Sequence, residues 1–75
     1  MNKSRRERLR GLAERLESLR DGVEAILEDE EDALDNVPEQ FQSTDRYYKS
    51  EDSIDALAKA IDNINTALQE LASAG

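Results

Sequence analysis

The side chains of this chain best suited to chemistry are carboxylates, and they are concentrated in one place. Glu28, Asp29, Glu30, Glu31 and Asp32 are consecutive, and Asp35 follows three residues on. Clustered carboxylates serve several chemistries. A calcium loop alternates them with a glycine at a set position that turns the chain, but this run has no glycine and continues a helical phase. A di-iron carboxylate bundle takes Glu-x-x-His from its helices, and there is no histidine. General acid–base work needs carboxyls set apart in an apolar pocket, which contiguous residues do not provide. What remains is a solvated helix face or, more sharply, a face of Glu28, Asp29, Glu31, Asp32 and Asp35 that mimics nucleic-acid phosphates or meets a basic patch on another protein.

The opposite charge gathers at the start of the chain, in Lys3, Arg5, Arg6, Arg8 and Arg10. Such a tip could contact phosphates. Glu7 is interleaved with it, no aromatic residue lies nearby to stack on bases, and the whole chain carries a net charge of −8. These features weigh against nucleic acid as the partner. With no cysteine, no histidine, no Gly-rich phosphate loop and no nucleophile beside a base, neither an enzyme nor a cofactor is expected.

The mean charge conceals a gradient along the chain. Residues 1–20 sum to +4, residues 21–52 to −10 and residues 53–75 to −2. One end is basic and the middle is strongly acidic. No run of 18 apolar residues is present to cross a membrane, and the basic start is followed by charged heptads instead of an apolar signal core. A cytoplasmic location without a membrane is the expectation.

The elements that must carry these charges are helices. The chain has 75 residues, one Pro, three Gly, no Trp and abundant Ala, Leu, Glu, Asp and Arg. Ile54, Leu57, Ile61, Ile64, Leu68 and Leu71 step by alternating threes and fours, an unbroken heptad seam. Leu9, Leu12, Leu16, Leu19, Val23 and Ile26 repeat the same spacing, which fades through Glu30 and Ala33. The pattern predicts an all-α fold, one domain over residues 1–75, with helices over about 5–35 and 44–73 and a bend at 36–43. Ser4 and Glu7 form a candidate capping box for the first helix. Asn36 suits a left-handed C-terminal residue, Pro38 blocks further helix, and Pro38 to Gln42 fit one short turn that tucks Phe41 under the bend. Thr44 is the expected N-cap of the second helix, followed by Asp45 in its first turn.

At the bend, Asp35-Asn36, Pro38-Glu39, Phe41-Gln42 and Asp45-Arg46-Tyr47 resemble the pattern D-N-x-P-E-x-[LF]-Q-x-[ST]-[DE]-R-Y of small uncharacterised helical proteins of bacteria, phages and mobile elements. Thr44 stands where that pattern usually carries serine, a change that keeps the cap. The resemblance covers about half the chain and implies a helical hairpin, with no activity and no functional residues.

Helices of about thirty residues joined by about eight should fold back on each other. If they do, facing residues have numbers summing to about 80, which pairs Leu9 with Leu71, Leu12 with Leu68, Leu16 with Ile64, Leu19 with Ile61, Val23 with Leu57, Ile26 with Ile54, and Ala33 with Tyr47. Glu30 opposite Ser50 is the polar exception. Ala58 and Ala72 on one flank of the second seam, and Ala60, Ala67 and Ala74 on the other, widen its stripe beyond what two helices use. Ala13, Leu27 and Leu34 widen the first. A homodimer forming a four-helix bundle is expected, packed end for end so that the basic tip of one hairpin meets residues 28–32 of the other. Function then rests on binding an unidentified protein partner. A chain this short with neither disulfide nor metal depends on helix packing or a partner for stability.

Overall fold

A computed structural model describes all residues 1–75. Two long helices and one short turn make up the chain: α1 spans Lys3–Asp35, a single 3-10 turn spans Glu39–Phe41, and α2 spans Asp45–Ala74. The helices lie side by side in a rod of 59 × 15 × 12 Å. Its radius of gyration is 17.3 Å, against about 11 Å for a compact domain of this length.

The first helix starts earlier than the capping box implies. Asn2 is the cap, with its side-chain oxygen accepting from the Arg5 backbone amide at 2.9 Å. Ser4 therefore lies inside the first turn, and Asn caps as well as Ser does. At the other end Asn36 has φ −90° and ψ 0° and is not left-handed. No residue of the chain, glycine included, has positive φ. The helix closes instead with the Asn36 amide donating to Asp32 O at 3.2 Å and the Val37 amide donating to Leu34 O at 3.1 Å. Tightening of this kind satisfies terminal carbonyls without a left-handed residue.

Beyond Pro38 the bend follows its turn chemistry. The Phe41 amide donates to Pro38 O at 2.9 Å, closing the short turn. Thr44 Oγ1 donates to Phe41 O at 3.0 Å and accepts from the Tyr47 amide at 3.3 Å, so one hydroxyl ends the turn and starts α2. Phe41 itself is half exposed, at 50%.

The seam between the helices departs from the heptad expectation on α1. On α2 the covered residues include every seam position the periodicity predicts, Tyr47, Ser50, Ile54, Leu57, Ile61, Ile64, Leu68 and Leu71, together with Ala60, Asn65 and Ala67 beside the seam, and Ile61 is the one buried residue of the chain, at 9% exposure. On α1 the covered residues are Leu9, Ala13, Leu16, Arg20, Val23, Leu27, Glu30 and Leu34. Leu12, Leu19 and Ile26 stay exposed at 55%, 64% and 58%. Their expected pairings with Leu68, Ile61 and Ile54 are not made as core contacts.

The cause is that α1 carries three apolar columns and one neighbour covers only two. The column of Leu9, Leu16 and Val23 is central. Ala13, Leu27 and Leu34 flank it on one side; Leu12, Leu19 and Ile26 flank it on the other. Arg20 belongs to the first flank, and its Nη1 donates to Asn65 Oδ1 of α2 at 3.1 Å, the one side-chain hydrogen bond between the helices. Leu27 and Leu34 lie on this same flank, which is the one α2 covers. The antiparallel pairing itself is visible at both ends. Glu30, Ala33, Tyr47 and Ser50 line one cleft near the bend, and Leu9, Leu68 and Leu71 line another at the open end.

Candidate functional site

The charged side chains are placed by α1 alone. Glu28, Asp29, Glu31, Asp32 and Asp35 are all exposed on its last two turns, while Glu30 turns into the bend cleft and is half buried. Arg5, Arg6, Arg8 and Arg10 are exposed on its first two turns. Lys3, Arg6, Glu7 and Arg10 border a shallow depression with no apolar lining, and Arg6 Nε donates to Met1 O at 3.1 Å.

Within one chain these two ends do not neutralise each other. Arg8 and Glu30 are 22 positions apart, about 33 Å along a helix, several times the screening length of about 8 Å at physiological salt. A single salt bridge exists in the whole molecule, between the neighbours Arg20 and Asp21 at 3.2 Å. The charges also oppose the helix that carries them. Its first turn has no acidic residue and its last turn no basic one. The helix dipole favours anions at the N-terminus and cations at the C-terminus, by about 0.3–1 kcal/mol each. Basic residues at the start and acidic ones at the end therefore work against α1 as an isolated helix. This conflict is readable from the sequence once the helix bounds are known, and the residue patterns alone do not draw attention to it.

Two further features lie outside the charge clusters. The bend cleft brings Val37, Phe41 and Tyr47 together with Arg46 at its rim. Tyr47 and Tyr48 meet edge to face, with ring centroids 6.1 Å apart and planes at 80°; Tyr47 faces the cleft and Tyr48 is 51% exposed. Edge-to-face contact is a favoured geometry and accounts for the pair as packing at the start of α2. The other feature is the exposed column of Leu12, Leu19 and Ile26, which the heptad pattern assigns to the inside.

No three of the carboxylates are arranged to hold one metal ion. No buried side-chain polar atom lacks a partner. Neither helix is long and apolar enough to cross a membrane. The class of molecule these features define is a two-helix antiparallel rod, with separated charges and one uncovered apolar column. No known protein family, curated protein or solved structure matches the chain.

Proposed function

We propose that this chain is a non-enzymatic protein–protein interaction module, a small acidic coiled-coil homodimer that presents its charged surface to a macromolecular partner in the cytoplasm. The observation that carries the reading is the area left in water. A single chain exposes 5906 Å², whereas a compact monomer of 8.5 kDa exposes about 4,650 Å². The excess is about 1,250 Å² per chain. Two copies that each covered this much would bury about 2,500 Å² in total, an area typical of obligate homodimers. With one buried residue in 75, the hairpin has little core of its own to resist unfolding.

Sedimentation equilibrium tests the assembly: the expected mass is twice 8.5 kDa at micromolar concentration, and a stable monomer refutes it. The partner-binding part is tested separately. A variant with Glu28→Gln, Asp29→Asn, Glu31→Gln and Asp32→Asn is expected to lose, in a salt-sensitive way, a protein that the unaltered chain retains from cell extract. Equal retention by both would remove the acidic face from the reading.

A second reading takes the same exposed carboxylates as mimics of nucleic-acid phosphates, so that the chain blocks a nucleic-acid-handling enzyme, as a phage or mobile-element inhibitor would. The five carboxylates without any ion pair favour it. Salt-sensitive inhibition of a nuclease, with no binding of the chain to labelled duplex, would select this reading over the first. A salt-dependent shift of the duplex would instead indicate direct nucleic-acid binding by the basic tip.

A further inference from the structure

Leu12, Leu19 and Ile26 recur every seven residues along α1 and are all more than half exposed. The face they form has a definite composition. Ser18 and Gly22, both small, adjoin Leu19 on the helix. A side chain added at Gly22 would meet nothing within 4 Å. Arg8 and Arg15 flank the column toward its start, and Asp29 flanks it toward its end. All of these residues are exposed, and none of the charged ones has an ion-pair partner in its own chain.

We propose that this face of α1 packs against the same face of a second copy, antiparallel, about a two-fold axis that passes beside Leu19. The proposal rests on the homodimer reading above and specifies where and in which direction the copies meet.

Two independent patterns give the same axis. The apolar column is centred on Leu19, so antiparallel pairing sets Leu12 against the partner copy's Ile26 and Leu19 against itself. The charges have their own centre. The basic cluster is centred near position 7 or 8 and the acidic run on position 30, and the midpoint between them again falls at about position 19. Arg8 of one copy then lies opposite Asp29 of the other. A surface that meets its own copy across a two-fold axis must be complementary to itself, and this arrangement is. It also reverses the unfavourable dipole terms: the acidic end of one α1 is brought to the N-terminus of the other, where anions are favoured.

The hairpin leaves this face accessible. Consecutive residues lie about 100° apart around a helix, so the flank of Arg20, bonded to Asn65, closes an edge of the rod well away from Leu19. On the open edge α2 contributes Ala60 and Ala67, small and half-covered residues that give a second copy a low surface to rest on. Each copy supplies apolar area from three large side chains at the centre of the contact, with complementary charges at both ends.

Single cysteines test the geometry, since the chain has none of its own. Under mild oxidation Leu19→Cys is expected to crosslink two chains efficiently. Leu12→Cys alone is expected not to, because two copies of position 12 would stand about 21 Å apart along the helices. A mixture of Leu12→Cys and Ile26→Cys chains should form the mixed dimer. Efficient self-crosslinking of Leu12→Cys, equal to that of Leu19→Cys, would mean parallel packing and would overturn the proposal. Absence of any crosslink at position 19 in a chain that sediments as a dimer would place the interface elsewhere, refuting this face while leaving the homodimer intact. A monomer by sedimentation refutes both.

A charge swap supplies a second readout. Arg8→Asp and Asp29→Arg should each weaken association several-fold at low salt, and the double variant should recover it; no recovery would overturn the antiparallel pairing. Leu19→Asp should weaken association by at least about a hundredfold, because two buried leucines are replaced by facing like charges. Helix content by circular dichroism checks that each variant still folds.

Discussion

Leu16 and Leu19 are one turn apart on the same helix and belong to the same heptad seam, yet they end in different surroundings. Leu16 is half covered by α2, whereas Leu19 is 64% exposed. The two sides of α1 differ in what they face and hardly at all in composition. The covered side carries Ala13, Arg20, Leu27 and Leu34; the open side carries Leu12, Leu19, Ile26 and Ala33. If apolar content alone decided burial, the open side would have the stronger claim. A helix can meet a single antiparallel neighbour along about one stripe, so the second stripe is surplus to a hairpin. Under the proposed assembly a second copy covers it.

The largest effect that separates the two sides should come from Ile61→Ala. Ile61 is the only buried residue, and truncation of a buried Ile typically costs about 2–5 kcal/mol. In a molecule with so small a core this should remove most of the stability, seen as a large fall in the midpoint of thermal unfolding by circular dichroism. Leu19→Ala, measured at concentrations below the dissociation constant of the dimer, should change the midpoint little. At high concentration Leu19→Ala should abolish the rise of the midpoint with concentration that association produces. Equal losses from both substitutions in dilute solution would mean that Leu19 supports the hairpin itself, and the distinction between the two sides would fall.

Next in size is the start of α2. Thr44→Ala removes both the acceptor for the Tyr47 amide and the donor to Phe41 O, and loss of an N-cap costs typically about 1 kcal/mol. Thr44→Ser should be nearly silent, because the hydroxyl remains. This pair of substitutions bears on the hairpin alone and should leave the association constant unchanged. A changed association constant for Thr44→Ala would tie the bend to the interface and blur the contrast between the sides of α1.

The parts of the fold that could be read from the sequence were those set by local chemistry. Pro38 and Thr44 locate the bend, because one lacks an amide hydrogen and the other supplies a cap. The phase of α2 is readable because it has a single dominant seam, and every residue that the periodicity names is covered, with Ala60, Asn65 and Ala67 covered beside it. On α1 both flanks of the Leu9–Leu16–Val23 column are apolar, so the periodicity does not choose between them; the covered flank is the one on which Arg20 reaches Asn65, 45 residues away in sequence. The cap of α1 is not decided by the sequence, since Asn2 and Ser4 are both good caps, and Asn2 takes the role. The acidic and basic clusters were visible from composition, but that they oppose the dipole of their own helix required the helix bounds, Lys3–Asp35.

The smallest effects, and the finest test of the contrast, lie in the two glycines of α1. A methyl group added at either Gly11 or Gly22 meets nothing within 4 Å in the hairpin. Exchange of an interior helical glycine for alanine gains about 0.5–1 kcal/mol when the space is open, because it restricts the unfolded chain and improves helix propensity. In dilute solution both Gly11→Ala and Gly22→Ala should therefore raise the unfolding midpoint by a few degrees. In the assembled state the two should part. Gly22 is one turn from Leu19, where the backbones of two packed helices come closest, and a methyl group there should reduce the association constant. Gly11 is eight positions from Leu19, about 12 Å along the helix, where crossing helices have begun to diverge, and Gly11→Ala should leave association nearly unchanged. If both substitutions stabilise the dimer as much as the isolated chain, no backbone approaches Gly22, and the second copy sits on another face of the rod.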